Sequence, residues 1–160
     1  MALRNIVKEG DPILTKKCRP VEKFNKRLWD LLDDLADTLE DSGGVGLAAP
    51  QVGVMRRVCV INVGDGPIEF INPVIVESDG EQEVQEGCLS CPGEFGIIKR
   101  PAHVKAQFND REGNLCEIEG DDLFAQAMCH EFDHLDGIIF KSKVERMLSE
   151  EELRAMREEE

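Results

Sequence analysis

Leucines at positions 28, 31, 32, 35 and 39 recur at helical spacing, with Asp30, Asp33, Asp34 and Asp37 between them. That pattern predicts an amphipathic helix over residues 26–40. Asn25 is a suitable N-cap, Phe24 and Trp29 occupy hydrophobic-staple positions, and Gly43 and Gly44 supply the stop. Residues 43–53 follow, rich in Gly and Ala and too irregular for a helix. The pattern then turns to strands. A β-branched run covers 57–63, and Gly64-Asp65-Gly66-Pro67 turns the chain into 68–76. Further strands are expected at 83–85, 97–99, 102–109 and 115–119, with Arg111-Glu112-Gly113-Asn114 joining the last two as a hairpin. A second helix is predicted over 122–135, capped by Asp121 or Asp122 and stopped by Gly137. A last, acidic helix begins at Ser149, where Ser149 and Glu152 form a capping-box pair, and frays into residues 158–160. A block of strands between helices predicts an α+β fold with mostly antiparallel sheet. The 160 residues, without internal repeats or low-complexity linkers, suit one domain.

Composition narrows the function. Lys and Arg total 19 against 33 Asp and Glu, a net charge of -14, which argues against a nucleic-acid or anionic-membrane binder. No apolar run approaches the ~18–20 residues of a membrane span. The first ten residues carry Arg4, Lys8 and Glu9 and no long apolar core, so no secretory signal is expected and the location reads as cytoplasmic. The six cysteines then read as reduced thiols, some of them candidate metal ligands.

The sharpest chemical signal is His130-Glu131-Phe132-Asp133-His134. On a helix the two histidines lie about 40° apart and one turn along, so both imidazoles can reach one metal. Glu131 lies about 100° from His130 and about 60° from His134. From there it can act on a water at the metal without being a ligand, the division of labour in zinc hydrolases. Leu123, Ala127, His130 and His134 share a stripe that is expected to face inward.

A catalytic site of this type wants three protein ligands, and two histidines leave one to find. Cys88, in Glu86-Gly87-Cys88-Leu89-Ser90, stands out among the cysteines and carboxylates. Cys91 makes a Cys-x2-Cys pair with it, so a closed structural zinc site of Cys88, Cys91, His130 and His134 is one reading. The long gap to His130 and the idle Glu131 weigh against that reading. A redox pair lacks a thioredoxin-like βαβ context. Cys129 points about 100° away from His130 and reads as a core thiol. Cys18, Cys59 and Cys116 read as structural, as by default do His103, Arg100 and Asp133, with support of a metal ligand from behind as the alternative for Asp133. The third feature is Gly44-Val45-Gly46-Leu47-Ala48-Ala49-Pro50-Gln51, whose glycines allow close approach of a ligand and whose Gln51 can donate to a developing oxyanion. It lacks the residues of a P-loop or a dinucleotide site.

In order and spacing, these three stretches resemble the peptide deformylase family. Its marks are a Gly-x-Gly-Leu-Ala-Ala-x-Gln loop, a Glu-Gly-Cys-Leu-Ser segment and a His-Glu-x-x-His helix that continues to Leu135 and Gly137 here. The resemblance implies removal of the formyl group from the N-terminal formyl-methionine of new polypeptides. It implies Cys88, His130 and His134 as ligands of one divalent metal, ferrous iron first and zinc as the alternative, with water in the fourth position. Glu131 would be general base and then acid, with the Leu89 backbone N–H and the Gln51 amide holding the formyl oxygen. Val45, Gly46 and Gly87 would pair with the peptide in strand fashion. Val45, Gln126, Ala127 and His130 would border the methionine pocket. Two features depart from the pattern: Cys91, and an acidic last helix without the basic face that docking on ribosomal RNA would need. The rival to this reading is a metallopeptidase acting on unformylated peptides.

Overall fold

The computed structural model describes residues 2–158, so Glu159 and Glu160 of the expected fray lie outside the described residues. Helix α1 spans Lys26–Ser42, two residues longer than the leucine pattern alone predicts. Asn25 caps it by accepting from the Leu28 N–H at 3.2 Å, and Gly43 ends it in the left-handed region at φ 73°, where a side chain would be strained. The five leucines of the pattern are all buried.

Five strands form one antiparallel sheet in the order β1-β2-β3-β6-β7. These are β1 Gly46–Ala48, β2 Val58–Ile61, β3 Ile68–Asp79, β6 His103–Asn109 and β7 Leu115–Asp121. Strand β2 is buried on both faces, which explains its continuous apolar run. Val58 and Val60 join the α1 leucines on one side, and Cys59 and Ile61 join the second helix, α2 (Asp122–Leu135), on the other. Period-2 alternation of side chains thus lets one strand serve two cores. On the α2 side Phe70 meets Phe132 edge-on at 5.3 Å and Phe108 at 4.8 Å between centroids.

A second, three-stranded sheet has the order β4-β5-β8, from β4 Gln82–Cys88, β5 Cys91–Arg100 and β8 Arg146–Met147. The two short expectations at 83–85 and 97–99 are the middles of one long hairpin, in which Cys88 and Cys91 are register partners across the Leu89-Ser90 turn. Helix α3 covers Glu150–Glu158 with the expected capping box: the Glu152 N–H donates to Ser149 Oγ and the Ser149 N–H to Glu152 Oε1, both at 3.1 Å. The hairpin of β6 and β7 also forms as expected.

Four local expectations need correction. The 43–53 stretch contains β1 and a 3-10 turn at Ala49–Val52, because its small residues fit a tight path. Asp121 precedes α2 without capping it by its side chain, whose Oδ1 lies 2.6 Å from His103 Nδ1 instead. Leu123 is 47% exposed, so the α2 stripe faces a cavity at its N-terminal end, not the core. Cys116 is only half-buried, on the edge strand β7.

Candidate metal centre and active site

Three elements bring the chemistry together. The end of β4 presents Cys88, α2 presents His130, Glu131 and His134, and the 3-10 turn after β1 presents Gln51. The ligand atoms of Cys88, His130 and His134 all lie within 4.8 Å of one another, and Cys88 Sγ is 3.3 Å from His134 Nε2. A thiolate and two imidazoles are the donor set expected for iron, zinc, cobalt or nickel. Cys91 does not join them. It turns toward Glu9 and Glu94, whose carboxylates share Lys141 Nζ at 2.7 Å each. Burial pushes the Cys91 thiol up to about 12, with Cys88 adding to the effect. The closed Cys2His2 arrangement is therefore not assembled.

Around the three donors the field is negative. Glu86, two residues before Cys88, holds His130 Nδ1 at 2.7 Å and is itself forked by Arg100, whose Nη1 reaches Asp133 Oδ2 at 2.9 Å. Burial opposes the Glu86 charge, but the hydrogen bonds from His130 and Arg100 win and hold its carboxyl down to about 2. Burial likewise opposes a charge on His130, yet Glu131, Cys88 and Glu86 raise it well above the ordinary imidazole value. A site that favours positive charge on His130 favours a bound cation for the same reason. Burial, with the charge on His130, keeps His134 neutral, down to about 3. Neutral imidazole is the metal-binding form.

Glu131 is 4% exposed and its Oε1 has no hydrogen-bond partner among the described residues, while Oε2 lies 3.8 Å from His130 Nε2. Burial pushes this carboxyl up to about 7, although His130 pulls it down. Gly46 makes the close approach possible: a Cβ there would stand 2.6 Å from Glu131 Oε2. Gln51 is buried and anchored at both ends of its amide. Its Oε1 accepts from the Ala48 N–H at 3.0 Å, and its Nε2 donates to Ser90 Oγ at 3.1 Å and lies 3.4 Å from Cys88 Sγ.

Cys88, His130 and Glu131 border a cavity of about 500 Å³, with Gln51 and His134 buried behind its wall. Val45, Gly46, Gly87, Leu89, Gln126, Ala127, His130 and Glu131 all line it, so the anticipated substrate-binding positions share one wall system. The polar Gln126 is held at the rim by bonds from its Nε2 to Gln85 O at 3.1 Å and Glu86 Oε1 at 3.3 Å. The residues that sequence reasoning undervalued are Glu86, Arg100 and Asp133. Two signals were available: Glu86 opens the segment that carries Cys88, and Asp133 lies three residues from His130 on one helix. Nothing in the sequence places Arg100 beside them.

The fold and site define an α+β protein in which a Cys-His-His cluster able to hold a metal ion stands beside a buried glutamate. A family model described as polypeptide deformylase matches residues 3–150. A peptide deformylase of Caldanaerobacter subterraneus is 54% identical over 99% of both chains. One of Acetivibrio thermocellus is 53% identical over 99% of this chain and 93% of its own. The crystal structure of the Thermotoga maritima peptide deformylase superposes with a TM-score of 0.88 at 38% identity, covering 90% of this chain and 99% of that one. The chain belongs to the polypeptide deformylase family, and it is an enzyme of that family.

Proposed function

We propose that residues 1–160 act as one catalytic domain that hydrolyses the N-formyl group of formyl-methionyl polypeptides, releasing formate. The observation that carries this reading is the buried Glu131 carboxylate at the wall of the cavity, whose Oε1 has no hydrogen-bond partner among the described residues, beside the Cys88, His130 and His134 donors. A divalent cation held by those three residues supplies Lewis acidity and lowers the pKa of a water. Ferrous iron is our first choice and zinc the alternative.

Glu131 takes a proton from the attacking water and returns it to the amine nitrogen as the formyl C–N bond breaks. Its raised pKa suits both halves of that task. Gln51 Nε2 and the Leu89 backbone N–H donate to the formyl oxygen as it gains charge. Because Ala48 and Ser90 already fix the Gln51 amide, little reorganisation is needed. Strand β1 ends one sheet and β4 ends the other, so two unpaired edges, carrying Val45–Gly46 and Gly87, flank the cavity. That arrangement supports strand-like pairing with an extended peptide. Val45, Gln126 and Ala127 border the space for the methionine side chain.

No described helix is long and apolar enough to cross a membrane. With the net charge of -14, this supports action in the cytoplasm on nascent chains without direct nucleic-acid contact. The test is turnover of a formyl-methionyl tripeptide and its unformylated twin by protein purified under nitrogen, with metal counted in the same sample. We expect formate, about one metal per chain, and no cleavage of the unformylated peptide. Glu131→Ala should keep the metal and lose about 10²-fold or more of kcat. Tightly held metal with no formate would overturn the reading, and cleavage of the unformylated peptide would establish the peptidase instead.

A further inference from the structure

Residues 2–9 form no helix or sheet of their own, yet they touch the backbone beside each of the two oxyanion donors proposed above. The Val7 N–H donates to Gln51 O at 2.7 Å, and the Glu9 N–H donates to Ser90 O at 2.9 Å. The two N–H groups lie two residues apart, where the chain enters the turn closed by the Asp11 N–H on Lys8 O, so one short segment serves two acceptors. The two acceptor residues are already joined by their side chains, Gln51 Nε2 to Ser90 Oγ at 3.1 Å. The strap and that bond close a ring through residues 7–9, Ser90 and Gln51. Its outer end is tied down as well. Glu9 and Glu94 of β5 both pair with Lys141, which follows α2. Upstream, Ile6 packs on the α1 core.

The loop that carries Gln51 and the turn that carries Leu89 and Ser90 come from different sheets. Among the hydrogen bonds of the described residues, few links join them directly: the Gln51 amide to Ser90 and Cys88, and the strap. An oxyanion hole built from two separate loops is only as well positioned as their relative placement, and a displacement of a few tenths of an ångström in a donor weakens the stabilisation it gives.

We propose that residues 7–9 are a positioning strap that sets the Gln51 loop against the Leu89-Ser90 turn through the Val7 and Glu9 backbone N–H groups. The strap contacts neither substrate nor metal; it acts through Gln51 and Ser90. Its catalytic consequence rests on the reading that Gln51 is an oxyanion donor, whereas its structural effect does not.

Two proline substitutions, Val7→Pro and Glu9→Pro, each delete one N–H, while Val7→Ala and Glu9→Asp retain it, the latter together with the charge that faces Lys141. The first readout is hydrogen exchange of the Gln51 side-chain amide, which needs no turnover. Exchange should accelerate at least about tenfold in the proline variants and stay within about twofold in the controls. Unchanged exchange in the proline variants, or equal acceleration in the controls, would overturn the strap. In formate release, kcat should fall at least about tenfold with KM within about twofold, at unchanged metal content. Adding Val7→Pro to Gln51→Ala should then cost less than about threefold, since the Val7 N–H acts through Gln51 and the donor on that side is gone. An equal loss in both backgrounds would make the segment a general stabiliser and overturn the proposal. Should a proline variant fail to fold, synthetic residues 1–17 ligated to Cys18 can carry an ester in place of the Val7 or Glu9 amide. An ester that leaves Gln51 exchange unchanged is equally decisive against the strap. A metal-loaded parent that releases no formate would overturn the deformylase reading, and the exchange result would still decide the strap on its own.

Discussion

Glu86 Oε2 stands 2.7 Å from His130 Nδ1, which leaves Nε2 of the same ring facing Glu131 and the cysteine donor. A carboxylate behind an imidazole fixes its tautomer and orientation and raises its basicity as a ligand. Glu86→Gln keeps the shape and removes the charge. The expected result is a loss of metal affinity of about 10–100-fold, read by competition with a chelator of known affinity. Asp133→Asn acts one step further out, through Arg100, and should cost less. Affinity unchanged in Glu86→Gln would mean that the pair serves folding alone.

The closeness of Gly46 to Glu131 gives a second prediction. A methyl at position 46 would stand 2.6 Å from Glu131 Oε2 and 2.7 Å from its Cγ, inside any permissible contact. The glutamate rather than the strand backbone would yield, because β1 is paired to β2. Gly46→Ala should therefore lower kcat by about 10²-fold while metal content stays that of the parent, since displacing Glu131, the general base we propose, mimics its removal. Kinetics and metal analysis on the same preparation check this.

Legibility in the sequence followed the range of each signal. Helix periodicity is local, so α1, with its Asn25 cap and Gly43 stop, was readable, as was the His130–His134 pair on α2. The capping box at Ser149 was readable for the same reason. The long hairpin of β4 and β5 was not, because its strands carry Gly87, Pro92, Gly93 and Gly96 and much exposed surface, which break the alternation. Strand β8, of two residues, has no pattern to detect. At the site, Cys88 was chosen over five other cysteines by its motif rather than by any property of its strand. The Glu86–Arg100–Asp133 network depends on how β4, β5 and α2 meet, and a residue such as Arg100 announces nothing about that.

The aromatic cluster beneath α2 backs the Cys-His-His cluster from the core side. Phe70 is fully buried and packs on Phe108, Phe124 and Phe132, the last of which lies between the two histidines in sequence. Phe70→Ala should destabilise the protein by about 3–5 kcal/mol, through lost transfer energy and a residual cavity. Denaturant unfolding of metal-loaded protein measures it. A cost below about 1 kcal/mol would show that the cluster collapses to fill the space.

His103 gives a pH prediction remote from the metal. Its Nδ1 lies 2.6 Å from Asp121 Oδ1, and Glu119 Oε1 is 3.7 Å from its Nε2. The facing position on β3 holds Asp79. The hydrogen bond to Asp121 raises the His103 pKa from 6.5, slight burial opposes it, and the charges of Asp121, Asp79 and Glu119 add to the rise. A raised folded-state value means that the charged imidazole favours the folded state. That contribution is complete below the unfolded pKa of about 6.5 and disappears as the pH rises through the folded value. The chain has only three histidines, so the His103 ring resonance can be followed by NMR from pH 5.5 to 8.5, a window set about the ordinary value. We expect its midpoint above 6.5 and a return toward that value in Asp121→Asn. The variant should also lose the part of its stability that depends on pH in this window, measured by unfolding at either end. A parent midpoint at or below 6.5 would mean that water screens the three carboxylates completely.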